Sequence, residues 1–421
     1  MGKIELDHTG AGSGVTLSSD GTDLLLNGTA IGGGGGTALE LYAENPVTPT
    51  APSATGDNAV AIGFNASASN TYAIAMGHNA TASAAYAIAL GRSADASGAN
   101  GAALGWDSTA SGTQAVALGT VSVASGTNSL AGPNSTASAT NSVAIGQSAL
   151  ASNFGGAAFG KGATTAVNNY NVAIGNSYTS GADAFAAAIA NNTASYGATG
   201  ANSVAMGYQA KASGVFTTSI GYGTQATSGN AMSFGRSSLA TGSLSLALGY
   251  QANASAERSV AIGSNAKAEI KGKLAYAAYD FGSSTIYSQT GIYTLLSDTT
   301  DATPEALTTN KSAASTDNQV ILPNNSAYGF TGIIVARENS ASTNDFAVWE
   351  IKGGAVRGAT AATTELGTYN INKISESAGA ANWSIALSAD TTNGAVAITV
   401  TGEAAHNIRW VATINTAEVT Y

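Results

Sequence analysis

The stretch AVAIGFNASASNTYAIAMGHNATASAAYAIALG, residues 59–91, contains the pattern that determines the fold. A motif of an apolar residue, Ala, an apolar residue and Gly occurs in it three times, ending at Gly63, Gly77 and Gly91. These glycines are 14 residues apart. A fixed short period indicates a stack of repeats in which each repeat forms one small structural unit.

The same motif extends well beyond this stretch. Gly132 arrives one residue early and Gly175 one residue late, and Ala190 takes the place of the glycine in a longer unit around Ile189. We predict about fifteen coils over residues 57–269. The other glycines in the series are Gly105, Gly119, Gly146, Gly160, Gly207, Gly221, Gly235, Gly249 and Gly263.

Each coil is predicted to contain two short strands and two corners. The first half is a strand such as SVAI at residues 142–145, and the second half reads like QAKASG at residues 209–214. Glycine favours tight corners because it adopts backbone conformations that other residues avoid. Fourteen extended residues span roughly 46 Å, enough for two strands and two turns. The absence of a 3.6-residue apolar stripe argues against helices.

The first strand of each coil is apolar on both faces. Ile88 and Leu90 point to one side, and Ala87 and Ala89 point to the other. A strand of this kind is usually covered on both faces. The interior of the coil covers one face, so we expect a neighbouring copy of the same chain to cover the other.

Composition and charge restrict the class of protein. The 421 residues include 52 glycines, and only 10% are charged, which suits a thin repetitive structure. The net charge of −10 argues against a nucleic-acid partner. The lack of cysteine excludes disulfides and thiolate metal sites. No apolar run reaches the length of a membrane helix and no secretory core begins the chain, so we expect no membrane insertion.

The flanks do not share the repeat. Residues 1–56 contain strand-like runs at 14–17 and 24–26 around an Asp20-Gly21 turn signal, followed by a glycine hinge at 32–36 and a Pro-rich stretch at 46–52. This segment suits attachment to a larger assembly, or equally a terminal cap.

Residues 270–421 contain three of the four tryptophans, Trp349, Trp383 and Trp410. We predict an antiparallel β-sandwich or jelly-roll-like domain with these tryptophans in its core, and with loops as the default place for a receptor site. The strand-like runs are residues 320–322, 330–336, 346–352, 369–374, 383–387, 395–401 and 408–414.

No motif indicates catalysis, a cofactor or a metal. Residues 155–162 approach the phosphate-binding loop pattern, but Gly162 stands where Ser or Thr is needed. His8, His78 and His406 are scattered, and His78 occupies a surface turn of a coil. We therefore predict no catalytic, cofactor-binding or metal-binding residue, and the sequence does not identify the receptor-binding residues.

Two acid pairs and two aromatic residues are the remaining candidates. Asp20 with Asp23, and Asp298 with Asp301, lack the twelve-residue loop that binds calcium and are interpreted as solvated turns. Tyr328 and Trp383 are suitable for stacking on a sugar, although core packing is the favoured interpretation for the tryptophan.

The repeats resemble the head repeats of trimeric autotransporter adhesins. NSVAIGQSALAS (residues 141–152), NSVAMGYQAKASG (202–214) and RSVAIGSNAKAE (258–269) carry the resemblance. In that family the pattern S-V-A-I-G-x-x-A-x-A-x-G builds a left-handed parallel β-roll, and three chains pack side by side. The resemblance covers residues 57–269 and implies a left-handed, homotrimeric β-roll.

The flanks resemble other proteins. The adhesins carry a secretory leader, a coiled-coil stalk and a C-terminal membrane barrel, which this sequence does not show. Residues 14–36 (GVTLSSDGTDLLLNGTAIGGGGG) resemble N-terminal segments of marine phage structural proteins, and residues 318–341 (NQVILPNNSAYGFTGIIVARENSA) resemble β-domains of phage fibres. The chain as a whole therefore resembles phage tail or virion fibre proteins that carry adhesin head-type repeats.

These observations predict an all-β, non-enzymatic fibre of a bacteriophage virion, assembled in the host cytoplasm and then extracellular. We expect a homotrimer that joins other virion proteins through residues 1–56 and contacts a host cell-surface glycan or protein. Two alternatives stay open. The chain is a fragment of a bacterial trimeric autotransporter-type adhesin, or it is a phage spike with a polysaccharide depolymerase in residues 270–421, since paired carboxylates need not be close in sequence.

Overall fold

The computed structural model describes residues 50–187, 194–283, 286–340 and 344–421, with backbone only at 280–283 and 286–287, and the backbone of five short strands between residues 4 and 40. The chain divides into two compact units, Met1–Lys161 and Gly162–Tyr421, which are described in turn. The predicted hinge at 32–36, the acids Asp20 and Asp23, His8, and the glycine position at Ala190 lie outside the described residues.

The first unit begins with a small antiparallel sheet. The predicted hairpin is confirmed, because Leu17 lies opposite Leu26 in neighbouring antiparallel strands. A fifth strand, Leu39–Glu40, runs parallel to Val60–Ile62 and so belongs to the coils that follow. The four strands of the antiparallel sheet are Ile4–Leu6, Val15–Ser19, Leu24–Leu26 and Thr29–Ala30.

The predicted coils are confirmed in this unit. Each coil gives a longer strand to one parallel sheet and a shorter strand to a second, and equivalent residues of successive coils pair in register, as Ile88 does with Ile74 and Ala102. The longer strands are Val60–Ile62, Ile74–Met76, Ile88–Leu90, Ala102–Leu104, Val116–Leu118, Leu130–Ala131, Val143–Ile145 and Ala157–Phe159. The shorter strands are Ser53–Ala54, Ser67–Ala68, Thr81–Ala82, Asp95–Ala96, Thr109–Ala110, Val123–Ala124, Thr136–Ala137 and Leu150–Ala151.

The second unit begins with coils of the same kind. The four longer strands between Thr218 and Ser264 have five residues each and continue through the motif glycine, so that Gly221, Gly235 and Gly249 pair in sequence. The longer strands are Val172–Ile174, Phe185–Ala187, Val204–Met206, Thr218–Tyr222, Met232–Arg236, Leu246–Tyr250, Val260–Ser264 and Leu274–Ala277. The shorter strands are Thr164–Thr165, Tyr178–Thr179, Gly197–Ala198, Lys211–Ala212, Gln225–Ala226, Leu239–Ala240, Asn253–Ala254 and Lys267–Ala268.

The interior of the coils is built almost entirely from alanine. Ala87 and Ala89, just before and within the longer strand Ile88–Leu90, are 0% exposed, and so are Ala94 and Ala96, just before and within the shorter strand Asp95–Ala96. Successive residues of a strand point to opposite faces, so alternate positions, most of them alanine, point inward and the positions between them point outward. The space between the two sheets therefore has room for little more than methyl groups.

The corners repeat every seven residues, although the sequence motif repeats every 14. Asn65, Tyr72, Asn79 and Tyr86 all have left-handed backbone conformations, with φ between 53° and 58°. The motif glycine occupies a second constrained position in alternate corners. Gly77 has φ 136°, and a β-carbon there would lie 2.4 Å from the carbonyl oxygen of Gly91 in the next coil.

Small polar residues replace some inward alanines and satisfy their hydroxyl groups locally. Ser135 Oγ donates to the carbonyl oxygens of Gly132 and Ala144 at 2.8 and 2.7 Å. Ser219 and Thr224, both buried, share a hydrogen bond of 2.8 Å between their hydroxyls. A buried hydroxyl is tolerated when it has a partner, so these substitutions do not interrupt the stack.

The C-terminal part of the second unit is antiparallel, as predicted. Its first sheet consists of long strands in the spatial order Ile286–Thr299, Ile408–Thr420, Ser326–Glu338, Phe346–Arg357 and Thr364–Glu376. In the second sheet, Ala395–Thr401 pairs with Glu305–Ala306, Val320–Ile321 and Ser384–Asp390. A short strand, Asp280–Ser283, pairs with Ile286–Thr299, and two 3-10 turns are Ala361–Thr363 and Ala378–Ala380.

One apolar core joins these two sheets. Trp410 lies at its centre, with ring centroids 5.5 Å from Trp349 and 6.1 Å from Trp383. The indole nitrogen of Trp410 donates to Thr299 Oγ1 at 2.9 Å. Trp383 is 1% exposed and Tyr328 is 2% exposed, so both side chains belong to the protein interior and are not placed to stack on a sugar at the surface.

The narrow interior of the coils predicts that a larger inward side chain destabilises the fold. Ala103→Leu should lower the free energy of unfolding by about 1–3 kcal/mol, because the added carbons have no space between the sheets. Ala102→Leu, on the same strand, is the control, since Ala102 points outward between Ile88 and Val116 and should tolerate the change within about 0.5 kcal/mol. Denaturant unfolding followed by circular dichroism measures both, and equal stability of the two variants would contradict the alanine-core interpretation.

Candidate functional site

The outward face of the longer strands carries a continuous apolar stripe. In the first unit Met76, Leu90, Leu118 and Ile145 are between 37% and 40% exposed, and they belong to in-register strands. In the second unit the equivalent side chains of Ile174, Met206, Leu248 and their neighbours are similarly exposed. A contiguous exposed apolar surface on a folded chain indicates an interaction surface.

The outward face of the shorter strands is different in chemistry. Ser67, Thr81, Asp95 and Thr109 occupy equivalent outward positions in successive coils. A coil is therefore amphipathic across its thickness, with one sheet that favours water and one that favours an apolar partner.

Aromatic and cationic side chains form ladders at the corner that follows the motif glycine. In the first unit the rings of Phe64 and His78 stack at 4.9 Å. In the second unit Tyr208 and Tyr222 stack at 5.1 Å, and the Arg236 guanidinium lies 5.7 Å from Tyr222 and 5.5 Å from Tyr250. Each such contact stabilises the packing of one coil on the next by about 0.5–1.5 kcal/mol.

A buried charge network lies where the last coil meets the antiparallel sheets. Lys273 Nζ is 2.6 Å from Glu418 Oε2, and both side chains are almost fully buried. Glu418 also accepts hydrogen bonds from Gln289 (2.6 Å), Tyr293 (3.2 Å) and Thr416 (2.6 Å). Burial lowers the pKa of the Lys273 ammonium, and the Glu418 carboxylate opposes this effect.

This network closes the open edge of both coil sheets. The longer strand Leu274–Ala277 pairs with Ile286–Thr299. For the shorter strand, the Gln289 side-chain amide acts as a partner: Lys267 N donates to Gln289 Oε1 at 2.8 Å, and Gln289 Nε2 donates to Lys267 O at 3.0 Å. Unpaired strand edges promote aggregation, so these contacts from the C-terminal flank protect the coils at this end.

A cavity of about 300 Å³ lies beside this network. Its walls come from the last coil and from the antiparallel domain, and they include both apolar and charged side chains. The lining residues are Lys267, Glu269, Ile270, Lys273, Thr316, Ile321, Leu322, Pro323, Asn324, Tyr328 and Arg357.

A second, shallower concavity of about 790 Å³ lies on the outer face of the long antiparallel sheet. Asn415, Thr331, Lys352 and Asn370 stand directly opposite one another on four adjacent strands and form a polar row across it. Beside this row, a β-carbon added at Gly329 would meet no atom within 4 Å, so the floor is open. This face can exchange hydrogen bonds with a flat polar ligand.

The structure shows where the candidate residues from the sequence analysis lie. His78 is exposed on the coil surface, as predicted. Asp298 pairs with Lys311, and Asp301 accepts a hydrogen bond from the Thr303 amide, which lowers the pKa of Asp301. Residues 157–159 of the stretch that approaches a phosphate-binding loop form a coil strand paired with Val143–Ile145.

The described ranges contain neither a cluster of metal-ligating side chains nor a membrane-spanning helix. No three His, Asp or Glu side chains in them come together closely enough to hold a metal ion. None of their helices has the length and apolarity needed to cross a lipid bilayer. His406 Nδ1 lies 3.1 Å from Glu338 Oε1 at the edge of the antiparallel domain.

The stacked coils and their amphipathic cross-section define a β-solenoid of the adhesin head type. Eight stretches of the chain match the YadA head domain repeat, so the chain carries adhesin head-type β-roll repeats, and these indicate an adhesin-like fibre. No curated protein matches the chain. The matched stretches are residues 54–80, 68–94, 96–122, 110–131, 124–149, 198–224, 212–238 and 240–266.

Removal of one partner of the buried pair should destabilise the antiparallel domain. Lys273→Met and Glu418→Leu should each lower the free energy of unfolding by about 3–5 kcal/mol, because each leaves an uncompensated buried charge. The double variant should be less destabilised than either single variant. Denaturant unfolding followed by tryptophan fluorescence measures this, and additive losses in the double variant would show that the two charges act independently.

Proposed function

We propose that the chain is a homotrimeric structural fibre of a bacteriophage virion that attaches to the surface of a host cell. The observation that carries the proposal is the apolar stripe on the longer strands, since it is compatible with water only when a partner covers it. The adhesin head-type repeats favour attachment as the purpose of the assembly. The proposed partner at the stripe is another copy of the same chain.

The energy of covering the stripe supports self-association. Full burial of a Leu, Ile or Met side chain contributes about 1.5–3 kcal/mol. Leu90 and Met76 are about two fifths exposed, so covering one such residue contributes about 1 kcal/mol per coil. Summed over the coils of one unit, this approaches the cost of association, about 4–15 kcal/mol.

The cross-section of a coil supports a closed trimer. Three copies can direct their apolar sheets towards a common axis and keep their polar sheets in water. Repeats of the matched type are typical of homotrimeric adhesins that bind host surfaces. Closed cyclic assemblies also avoid the open-ended polymers that a single sticky face would otherwise produce.

Attachment by such a fibre depends on multivalency. Three identical copies present three identical sites, and the second and third contacts form at a high effective concentration once the first has formed. Weak individual sites are then sufficient for firm adhesion, and no chemical step is required. We therefore propose a non-enzymatic role.

The virion location is supported by the flanking segments. Residues 14–36 resemble marine phage structural proteins, and residues 318–341, which include the strands Val320–Ile321 and Ser326–Glu338, resemble phage fibre β-domains. We propose that residues 1–56 join other virion proteins. The matched repeats also suit a bacterial surface adhesin, and the neighbouring genes distinguish the two: capsid and tail genes favour the virion, and secretion genes favour the adhesin.

The stripe yields a test of assembly. Leu90→Asp should prevent trimer formation, because it places a charge in a dry interface. Ser67→Asp is the matched control, since Ser67 points outward from the polar sheet and its neighbours in the adjacent coils are the uncharged Ser53 and Thr81. Light scattering should give three times the 41.2-kDa chain mass for the control and a smaller mass for Leu90→Asp. Trimers of unchanged stability from Leu90→Asp would reject the proposed interface.

Adhesion and the absence of catalysis are tested together. Fluorescently labelled trimer is incubated with bacteria from the environment in which the gene occurs, and bound cells are sorted and identified. Purified capsule and lipopolysaccharide of those cells are then incubated with the protein and sized by chromatography. We expect binding with no change in glycan length. Shortened glycans would favour the depolymerase alternative, and a lack of binding to any cell would reject the attachment role.

A further inference from the structure

We propose that the side chains of Lys273 and Gln289 join through an amide bond, with Glu418 as the catalytic group and ammonia as the leaving product. The observation that carries the proposal is that both side-chain nitrogens contact the same oxygen of one buried carboxylate. The bond forms in a single reaction of the chain upon itself, and it does not depend on the attachment function. It locks the last coil onto the strand that caps it.

The Glu418 carboxylate is placed to carry protons between the attacking and the leaving nitrogen. Lys273 Nζ and Gln289 Nε2 are each 2.6 Å from Glu418 Oε2, so the two nitrogens are separated by no more than twice that distance. The other oxygen, Oε1, accepts hydrogen bonds from Tyr293 at 3.2 Å and from Thr416 at 2.6 Å. These hydroxyls fix the carboxylate, so that Oε2 is within reach of both nitrogens, as a general acid and base must be.

The side-chain carbonyl of Gln289 is polarised for attack. Its Oε1 accepts a hydrogen bond of 2.8 Å from the backbone N–H of Lys267. A donor fixed in this place stabilises the negative charge that the oxygen gains when an amine adds to the carbon. Gln289 Nε2 also donates to the Lys267 carbonyl oxygen at 3.0 Å, so the amide is held in one orientation. Fixed geometry of this kind is equivalent to an amine concentration of up to about 10⁵–10⁸ M.

The cluster is buried, which favours the reactive form of the amine. Lys273, Gln289 and Glu418 are 3%, 7% and 4% exposed, and the rings of Tyr293 and Tyr328 lie 5.3 and 5.8 Å from Lys273 Nζ. Burial lowers the pKa of the Lys273 ammonium. The neutral amine, which is the nucleophile, is therefore easier to form here than in water. The exclusion of water also limits hydrolysis of the Gln289 amide.

The reaction balances without a further reagent. The Lys273 ammonium first gives a proton to the Glu418 carboxylate, and the resulting amine adds to the side-chain carbonyl carbon of Gln289. The Glu418 carboxyl group then gives a proton to Nε2 and takes one from Nζ. The bond from carbon to Nε2 breaks, and a secondary amide joins Lys273 to Gln289. Ammonia leaves with the remaining proton as ammonium, which restores the Glu418 carboxylate.

The bond would strengthen the end of the coiled region. Lys273 directly precedes the last longer strand, Leu274–Ala277, which pairs with Ile286–Thr299, the strand that contains Gln289. A force that pulls the coils away from the antiparallel sheets would pass through the bond and bypass the residues between its ends. The strand Leu274–Ala277 would then stay in place under a load that hydrogen bonds alone would not resist.

The test is the mass of the wild-type full-length chain and of its peptides. The denatured chain should be lighter than its sequence by one ammonia molecule. Chymotrypsin cleaves after Tyr276, Tyr279 and Tyr287, so its digest should contain a branched peptide with Lys273 on one arm and Gln289 on the other. Tandem mass spectrometry identifies both arms. A direct bond from Lys273 to Glu418 would release water instead and join different peptides, and that result would reject the proposal.

Three variants test the roles of the residues, and a fourth is the control. Lys273→Arg keeps the positive charge but has no nucleophilic amine, and Gln289→Met has no carbonyl, so both should lack the branched peptide. Glu418→Gln keeps the shape without the proton carrier and should slow formation of the bond at least about 100-fold. Lys271→Arg is the matched control, because Lys271 pairs with Asp317 near the surface, and it should form the bond in full.

Two results would overturn the proposal. A wild-type digest without the branched peptide would reject the bond, and this result does not require any variant to fold. A branched peptide at the wild-type rate in Glu418→Gln, with its β-structure verified by circular dichroism, would reject the assigned chemistry. Neither result affects the attachment function, which the cell-binding experiment tests separately.

Discussion

The packing of alanine methyl groups between two parallel sheets is the constraint on which the coiled part of the molecule depends. Ala87, Ala89, Ala94 and Ala96 leave no room for a larger side chain, so the larger apolar residues of each coil are directed outward. A core of methyl groups removes little apolar area per coil, and the coil-to-coil hydrogen bonds and in-register ladders supply the order that a thick core provides elsewhere. The thin interior and the outward apolar stripe are therefore two consequences of one sequence pattern, and the stripe is the surface at which we propose self-association.

A stack of parallel strands also requires a defined end. In the second unit the end is made by a strand, Ile286–Thr299, and by a single side chain, Gln289, which together pair with both edges of the last coil. The Glu418 carboxylate orients Gln289 and is itself balanced by Lys273. A buried ion pair contributes little net stability compared with apolar packing, but it fixes geometry, because each donor and acceptor has one satisfactory arrangement. The charges at this junction thus specify how the antiparallel sheets join the coils.

Much of this fold is predictable from the sequence, for reasons that differ between regions. The motif glycines predict the coils because close backbone approach, as between Gly77 and Gly91, tolerates no side chain. The left-handed corners at Tyr72 and Leu244 are not predictable from those residues, which disfavour that conformation. There the repeating hydrogen bonds between neighbouring coils determine the backbone conformation.

The antiparallel domain is less predictable. The strand Ile286–Thr299 is not predicted, because apolar residues such as Ile292 and Tyr293 occur on both of its faces. Lys273 and Glu418 are 145 residues apart, and no local signal connects them.

The division of chemistry along the chain follows from the same constraint. A coil corner presents its side chains at a fixed spacing, and Tyr208, Tyr222 and Arg236 pack against one another there. Enclosed cavities need walls from elements that meet at an angle, which parallel in-register coils do not provide. The transition from coils to antiparallel sheets is where such elements meet, and the cavity beside the Lys273–Glu418 pair lies there. In a symmetric trimer every surface of the chain occurs three times, so weak contacts with a host surface would gain more from assembly than from a change in any single contact.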